Sequence, residues 1–413
     1  MVTAAGGARA VARCDLLGVA PYSDMEGGLY RGYLTPAYAE AQRAVGGWMI
    51  EAGMAVHIDP AGNLIGRYEG LADGPALLIG SHLDSVRDGG RYDGPLGIML
   101  GIECIAALHA GGRRMPFPID IYAFGDEEGS RFPAAMLTSR AVAGTLDRAA
   151  LAMADGDGVT LEDALATASL DVARYTEARH GPALAYLEAH IEQGPVLEAE
   201  SLAAGTVTGI AAQLRYAITV TGRAGHAGTN SMTLRRDALA AAAAMVLAAE
   251  EVALRGPNDL VATVGRLEVS PGAANVVPGR VMFTLDIRAG NGDARDSAAS
   301  SILEHCRRIA AERDVGIAIE PLQNLPASPC DPALMEMLDA AIAEQGIAPR
   351  RLVSGAGHDA MMMAALCPTA MLFLRCKGGI SHNPAESVDP KDAEIALRVM
   401  LGFIDRLGER VRG

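Results

Sequence analysis

Four short stretches of this chain carry residues able to do metal-assisted hydrolysis. His82 and Asp84 close an apolar run, and Asp93 follows in a glycine-rich loop; together they span LLIGSHLDSVRDGGRYDGPLG (77–97). Glu127 and Glu128 lie in GDEEGSRFP (125–133), His190 in EAHIEQGP (188–195) and His382 in ISHNPAE (380–386). Neutral imidazole and ionised carboxylate are the ligands of catalytic divalent ions, and such sites form at the carboxyl ends of sheet strands. His82, Asp93, Glu128, His190 and His382 would supply ligands for two ions, with Asp93 as the bridge. Ions about 3.5–4 Å apart can share and acidify one water. Glu127 and Glu128 cannot both point at one atom. One is expected to bind metal, and the other to take the water's proton and pass it to the leaving nitrogen. Asp84, two residues past His82 on an extended chain, is expected to point the same way and hold the other imidazole nitrogen. Taken singly, each feature also fits a solvated pair or an ordinary turn; their concurrence after apolar strands is what points to a site. His57, His109, His180 and His305 lack that setting and read as structural.

The elements that must position these residues follow from periodicity. Short strands at Ala55–Ile58, Leu64–Tyr68 and Ala76–Ile79, a helix at 96–110 and a strand at Ile119–Phe124 make a β-α-β pattern, which favours a mixed or parallel sheet covered on both faces. Residues 1–55 read as helical, with a glycine-rich break at Met25–Gly32, and 132–180 as helices and loops. From about Gly205 the pattern changes. TVTGI, RYAITVTGR, LVATVGRLEV and VMFTLDIRA alternate Val, Thr and Ile, and two helical stretches separate them. The order β-α-β-β-α-β makes a compact second domain. The helix at Pro332–Gln345, the strand Thr369–Leu374 and a last helix return to the first domain.

Length and composition set the outer bounds. The 413 residues imply two domains. A net charge of −15 argues against nucleic acid or an anionic membrane as partner, and an anionic substrate would need a local cation. The six cysteines form no CxxC pair, which suggests a reducing compartment and buried, inert sulfur. No signal-peptide pattern stands at the N-terminus, and the apolar run 238–249 is too short to span a bilayer. The expected location is the cytoplasm.

GSHLDSV, RYDGPLG, GDEEGSRFP, HIEQGP, GHAGT, NVVPG and SHNPAE, in that order, resemble the di-metal aminoacylase and carboxypeptidase superfamily. Specifically, they resemble its ureido-acid branch of allantoate amidohydrolases and N-carbamoyl-L-amino acid hydrolases, over roughly residues 20–410. The resemblance implies an α/β, mixed-sheet hydrolase domain at 1–212 and 326–413. An inserted α+β, ferredoxin-like lid and homodimerisation domain would occupy 213–325. It assigns His82, Asp93 and His190 to one divalent ion and Asp93, Glu128 and His382 to the other. Zn or Mn is expected, with Co or Ni also compatible. Glu127 becomes the general base. His226 is expected to reach a substrate oxygen, in the partner subunit's site. Asn275 and Arg288 would grip the substrate carboxylate, Gln213 and Arg215 would add contacts, and Gly355–Gly357, Gly357 among them, would offer backbone N–H groups. Arg288 on its strand also fits a surface ion pair. Ser231 departs from the proline many relatives carry, beside the His226 loop. The implied substrate is a small anionic ureido acid, allantoate first and an N-carbamoyl-L-amino acid second, with a dipeptidase or aminoacylase activity as the alternative.

Overall fold

The apolar strand Ala76–His82 is buried along its whole length, and the larger sheet is built outward from it. The computed structural model describes residues 6–412; residues 1–5 and 413, which the expected domain boundaries include, lie outside the described residues. In order, the sheet runs Ala55–Ile58, Leu64–Tyr68, Ile119–Phe124, Ala76–His82, Ala183–Ile191, Thr369–Leu374 and Ala204–Ile210. Its four inner strands, from 119–124 to 369–374, are parallel, and the strands next to them, Leu64–Tyr68 and Ala204–Ile210, are antiparallel to them. Continuous apolar runs such as ALLIG and IYAF suit strands covered on both faces.

The helix Pro95–Ala110 starts directly after the Asp93 loop, with Gly94 as its cap and Pro95 in the first turn, where a missing N–H costs nothing. It is buried on nearly every side, so its sequence shows little amphipathic periodicity. The last helix, Pro390–Arg412, turns one apolar stripe inward, from Ala393 through Met400 to Leu407. Parallel strands send their carboxyl ends to one edge. His82 and His190 are therefore carried at strand ends, with Glu127 and His382 in the loops after the next strands.

A second compact unit comprises Gly209–Pro329 together with Val353–Gly357. Its longer strands and its two long helices follow the order β-α-β-β-α-β, with short strands at Gly225–His226, Val261–Thr263 and Val276–Val277 besides. The sheet runs Leu267–Ser270, Arg280–Ala289, Ala212–Thr221, Gly316–Leu325, all antiparallel. Arg280–Ala289 alternates buried and part-exposed residues, the period of a sheet with one covered face. The helices Ala238–Arg255 and Gly292–Glu312 supply that cover, and Asp237 and Asn291 cap their first turns. The segment 353–357, placed with 326–413 in the sequence reading, groups here with the inserted unit because Ser354 O accepts from Ala211 N (2.9 Å) and Gly355 O from Arg288. All six cysteines are free and buried.

Candidate metal centre

His82, Asp93 and His190 form one group whose ligand atoms lie within 4.8 Å of one another; Asp93, Glu128 and His382 form a second. Asp93 belongs to both. Its Oδ1 is 3.0 Å from His190 Nε2 and 3.4 Å from His82 Nε2, and its Oδ2 is 3.4 Å from His382 Nε2. His382 Nε2 is also 3.3 Å from Glu128 Oε1. Glu127 lies beside the first group, with Oε2 3.9 Å from His82 Nε2.

The imidazoles are set by their other nitrogens. His82 Nδ1 is 3.0 Å from the Asp84 carbonyl and His190 Nδ1 is 2.9 Å from the Ile191 carbonyl. A carbonyl only accepts, so Nδ1 of each carries the proton and Nε2 faces the cage as a bare lone pair in the neutral ring. His190 Nε2 is buried, with Asp93 Oδ1 as its near neighbour at 3.0 Å. Two acceptors aimed at a common point are what a cation requires, so this donor set fits divalent ions.

One expectation is corrected here. Asp84 does not hold His82 through its carboxylate, which is 3.8 Å away; the backbone carbonyl does that. The Asp84 carboxylate instead accepts from the Glu127 and Glu128 backbone N–H groups, at 3.2 and 3.3 Å. It thereby fixes the loop that aims both glutamates. Behind it, the fully buried Arg31 donates to the carbonyls of Leu83 (2.6 Å), Leu17 (2.8 Å) and Tyr22 (3.1 Å).

The cage is electrostatically dense. Burial, reinforced by the charges of Asp359, Glu128 and Asp84 against the pull of His82, holds the Glu127 carboxyl well above the usual range. Burial opposes ionisation of Asp93 too, but contacts from His190 and His82 hold it well below that range. The Glu128 contact raises His382 to about 9.

Other residues of the site carried no assignment from sequence. Gln193, in a left-handed turn (φ 56°), donates to Asp93 Oδ2 (2.8 Å) and Ser381 Oγ, and Ser381 donates to the same oxygen at 2.6 Å. Glu188, fully buried, accepts from Ser81, Tyr186 and the Ala360 N–H. His358 packs edge-on against His190, ring centroids 4.4 Å apart, and burial pushes its imidazole well below the ordinary value. HIEQGP and GAGHDA held the signal, a polar residue beside a glycine in a turn; nothing local distinguished their partners.

In the inserted unit, Gln213, Arg215 and Arg288 converge on Asp286. Arg215 reaches Oδ2 at 2.7 Å and Arg288 Nε reaches Oδ1 at 2.7 Å. Burial alone would raise Asp286, yet the bonds from Arg288, Arg215 and Gln213 hold it below the ordinary value. Arg288 is thus ion-paired within the unit as well as being a candidate clamp. His226 and Asn275 sit apart from this cluster, on an exposed ribbon where His226 pairs with Val276 and Ala227 N donates to the Asn275 carbonyl. Gly357 is exposed at the end of 353–357.

Residues 78–406 match the pattern of peptidase family M20/M25/M40. The chain is 42% identical to an N-carbamoyl-L-amino acid amidohydrolase of Geobacillus stearothermophilus, over 93% of this chain and 94% of that one. It is 41% identical to a probable allantoate deiminase of Oryza sativa subsp. japonica, over 93% of this chain and 85% of the other. It superposes on the crystal structure of a hydantoinase/carbamoylase family amidase from Burkholderia multivorans with a TM-score of 0.92, at 35% identity and covering 99% of both chains.

Proposed function

This chain belongs to peptidase family M20/M25/M40, and on that premise we propose that it hydrolyses the carbamoyl amide of a linear ureido acid, allantoate first, releasing the free amine together with ammonia and carbon dioxide. It is a metal-dependent amidohydrolase. What supports this reading most is Asp93, whose two oxygens face separate ligand groups beside the buried Glu127. We assign His82, Asp93 and His190 to one divalent ion and Asp93, Glu128 and His382 to the other. Two such ions, Zn or Mn with Co or Ni also compatible, would supply Lewis acidity for the carbonyl and a lowered pKa for water.

Glu127 takes a proton from the attacking water and hands it to the leaving nitrogen. Asp84 keeps Glu127 and Glu128 aimed through their backbone N–H groups. His226 supports the oxygen that gains charge, in the partner subunit's site. Arg288 and Asn275 hold the substrate carboxylate, with Gln213, Arg215 and the Gly357 N–H as further contacts; a guanidinium fork suits a carboxylate in two parallel bonds. The inserted unit serves as the lid and the homodimer contact. Its long helix leaves Leu247 and Leu254 exposed two turns apart on one face, 64% and 81% accessible. Among the described residues no helix is long and apolar enough to cross a membrane.

A second reading, an N-carbamoyl-L-amino acid as substrate, has the Geobacillus relative behind it. Ammonia release across allantoate, ureidoglycolate and several N-carbamoyl-L-amino acids, with dipeptides in parallel, tests both. The highest kcat/KM on allantoate is expected. A carbamoyl amino acid preference replaces the first reading with the second, and dipeptide cleavage without ammonia release overturns both.

A further inference from the structure

The turn that carries His382 also sends a buried carboxylate under the Asp93 loop. Glu386 Oε1 accepts from the backbone N–H groups of Tyr92 (2.8 Å) and Asp93 (3.1 Å). Glu386 is only 5% exposed, and its Oε2 is buried without a partner, so neither oxygen is satisfied by solvent. The approach is close enough to dictate a residue in the other loop: a Cβ on Gly90 would sit 2.1 Å from Glu386 Cδ. At its far end the Asp93 loop is equally tight, since a Cβ on Gly94 would lie 2.5 Å from the His82 ring. Asp93 is thus held between His82 on one side and Glu386 on the other.

The 380–386 turn is itself defined by local bonds. His382 takes a left-handed conformation (φ 53°), Asn383 Oδ1 accepts from Ala385 N, and Asn383 O accepts from Glu386 N. Lys377 N donates to Ser387 O and closes the loop at its base. The position of Glu386 and the position of His382 are therefore set by one piece of backbone.

We propose that Glu386 is a positioning residue that clamps the backbone of Asp93, the shared ligand, to the turn bearing His382, and so sets the spacing between the two cation-binding groups. A carboxylate accepting two N–H groups makes charge-assisted bonds, stronger than neutral ones. Ser381 and Gln193 grip the Asp93 side chain from the same direction, and Glu386 fixes its main chain. Because Asp93 serves both groups, loosening it weakens both cation sites together. Loss of a terminal ligand such as His382 weakens one.

This inference rests on the two-ion reading above, and the measurement separates the two. Zn(II) and Mn(II) are titrated into metal-free full-length protein by competition with a fluorescent chelator, recording stoichiometry and affinity for wild type, H382A, E386A and E386Q. E386A is expected to weaken both equivalents in parallel by about 10–100-fold, the range for partners that orient ligands. H382A is expected to weaken one. E386Q, whose amide oxygen can accept from the same two N–H groups, is expected to bind both ions within a few-fold of wild type. Should E386A not fold, E386D, one methylene too short to reach both N–H groups, is read in its place with the same expectation. Wild-type affinity in the shortened variants, weakening of one equivalent alone, or E386Q as weak as E386A each overturns the clamp. A wild-type protein that binds fewer than two ions overturns the two-ion reading itself.

Discussion

Asp93 Oδ1 lies 3.0 Å from His190 Nε2, and both residues are buried. With the imidazole neutral, the carboxylate and the ring nitrogen are two buried acceptors face to face, a costly arrangement that a shared cation relieves. Loading the protein with Zn(II) or Mn(II) at about 100 times the Kd should therefore add about 2.7 kcal/mol of stability for each site filled. A melting temperature indifferent to these ions, in thermal denaturation of metal-free and loaded protein, would remove the cage.

Cation binding should be coupled to protons. His382 stands at about 9 in the metal-free protein, chiefly through Glu128, and must be neutral to act as a ligand. A raised histidine holds its proton below that value, so metal affinity should climb with pH up to about 9 and fall below it, with net proton release on binding. Calorimetry in two buffers of different ionisation enthalpy measures that release; none at neutral pH would contradict the assignment.

Glu127→Gln should retain two ions and lose turnover by about 10²–10⁴-fold, the usual contribution of a positioned general base. The glutamine keeps the backbone N–H that Asp84 accepts from, so the loop stays in place. Near-normal kcat in this variant would disprove the proton-transfer role.

Arg288→Ala should raise KM by about 2–5 kcal/mol of lost charge-paired binding. Asp286→Asn should raise KM less, since Asp286 orients Arg288 and Arg215 without itself serving as the clamp. Steady-state kinetics on both variants decides the matter; an unchanged KM in Arg288→Ala takes Arg288 out of substrate binding.

Leu247→Glu combined with Leu254→Glu should convert a dimer to a monomer with its fold intact, since both side chains are already exposed on the helix Ala238–Arg255. Sedimentation velocity reads the mass. A wild-type monomer, or a variant that stays dimeric, removes this face from the interface.

Much of the molecule was legible from residue chemistry and periodicity. Continuous apolar runs marked the parallel strands, alternation marked the inserted sheet, and His or Glu pairs beside glycine marked the four loops. Those signals are local, because a strand or helix records its buried face in its own spacing. The domain edge at 353–357 was not legible, since SGAG carries no apolar period and its grouping depends on Ala211 and Arg288. Asp84 was read as an imidazole partner from its two-residue spacing, and the fold used its backbone carbonyl there instead.

From its order of residues alone, the chain pointed to the side chains that could bind cations and to the strand ends at which they would stand. Tertiary structure decided which Asp93 oxygen faces which imidazole, that Asp84 serves the glutamate loop, and that Asp286 gathers two arginines. It also brought Glu386 to the Asp93 backbone across 293 positions of sequence. A hydrogen bond between residues so far apart leaves no mark in either one's neighbourhood; only the packing of the sheet and its loops brings donor and acceptor together.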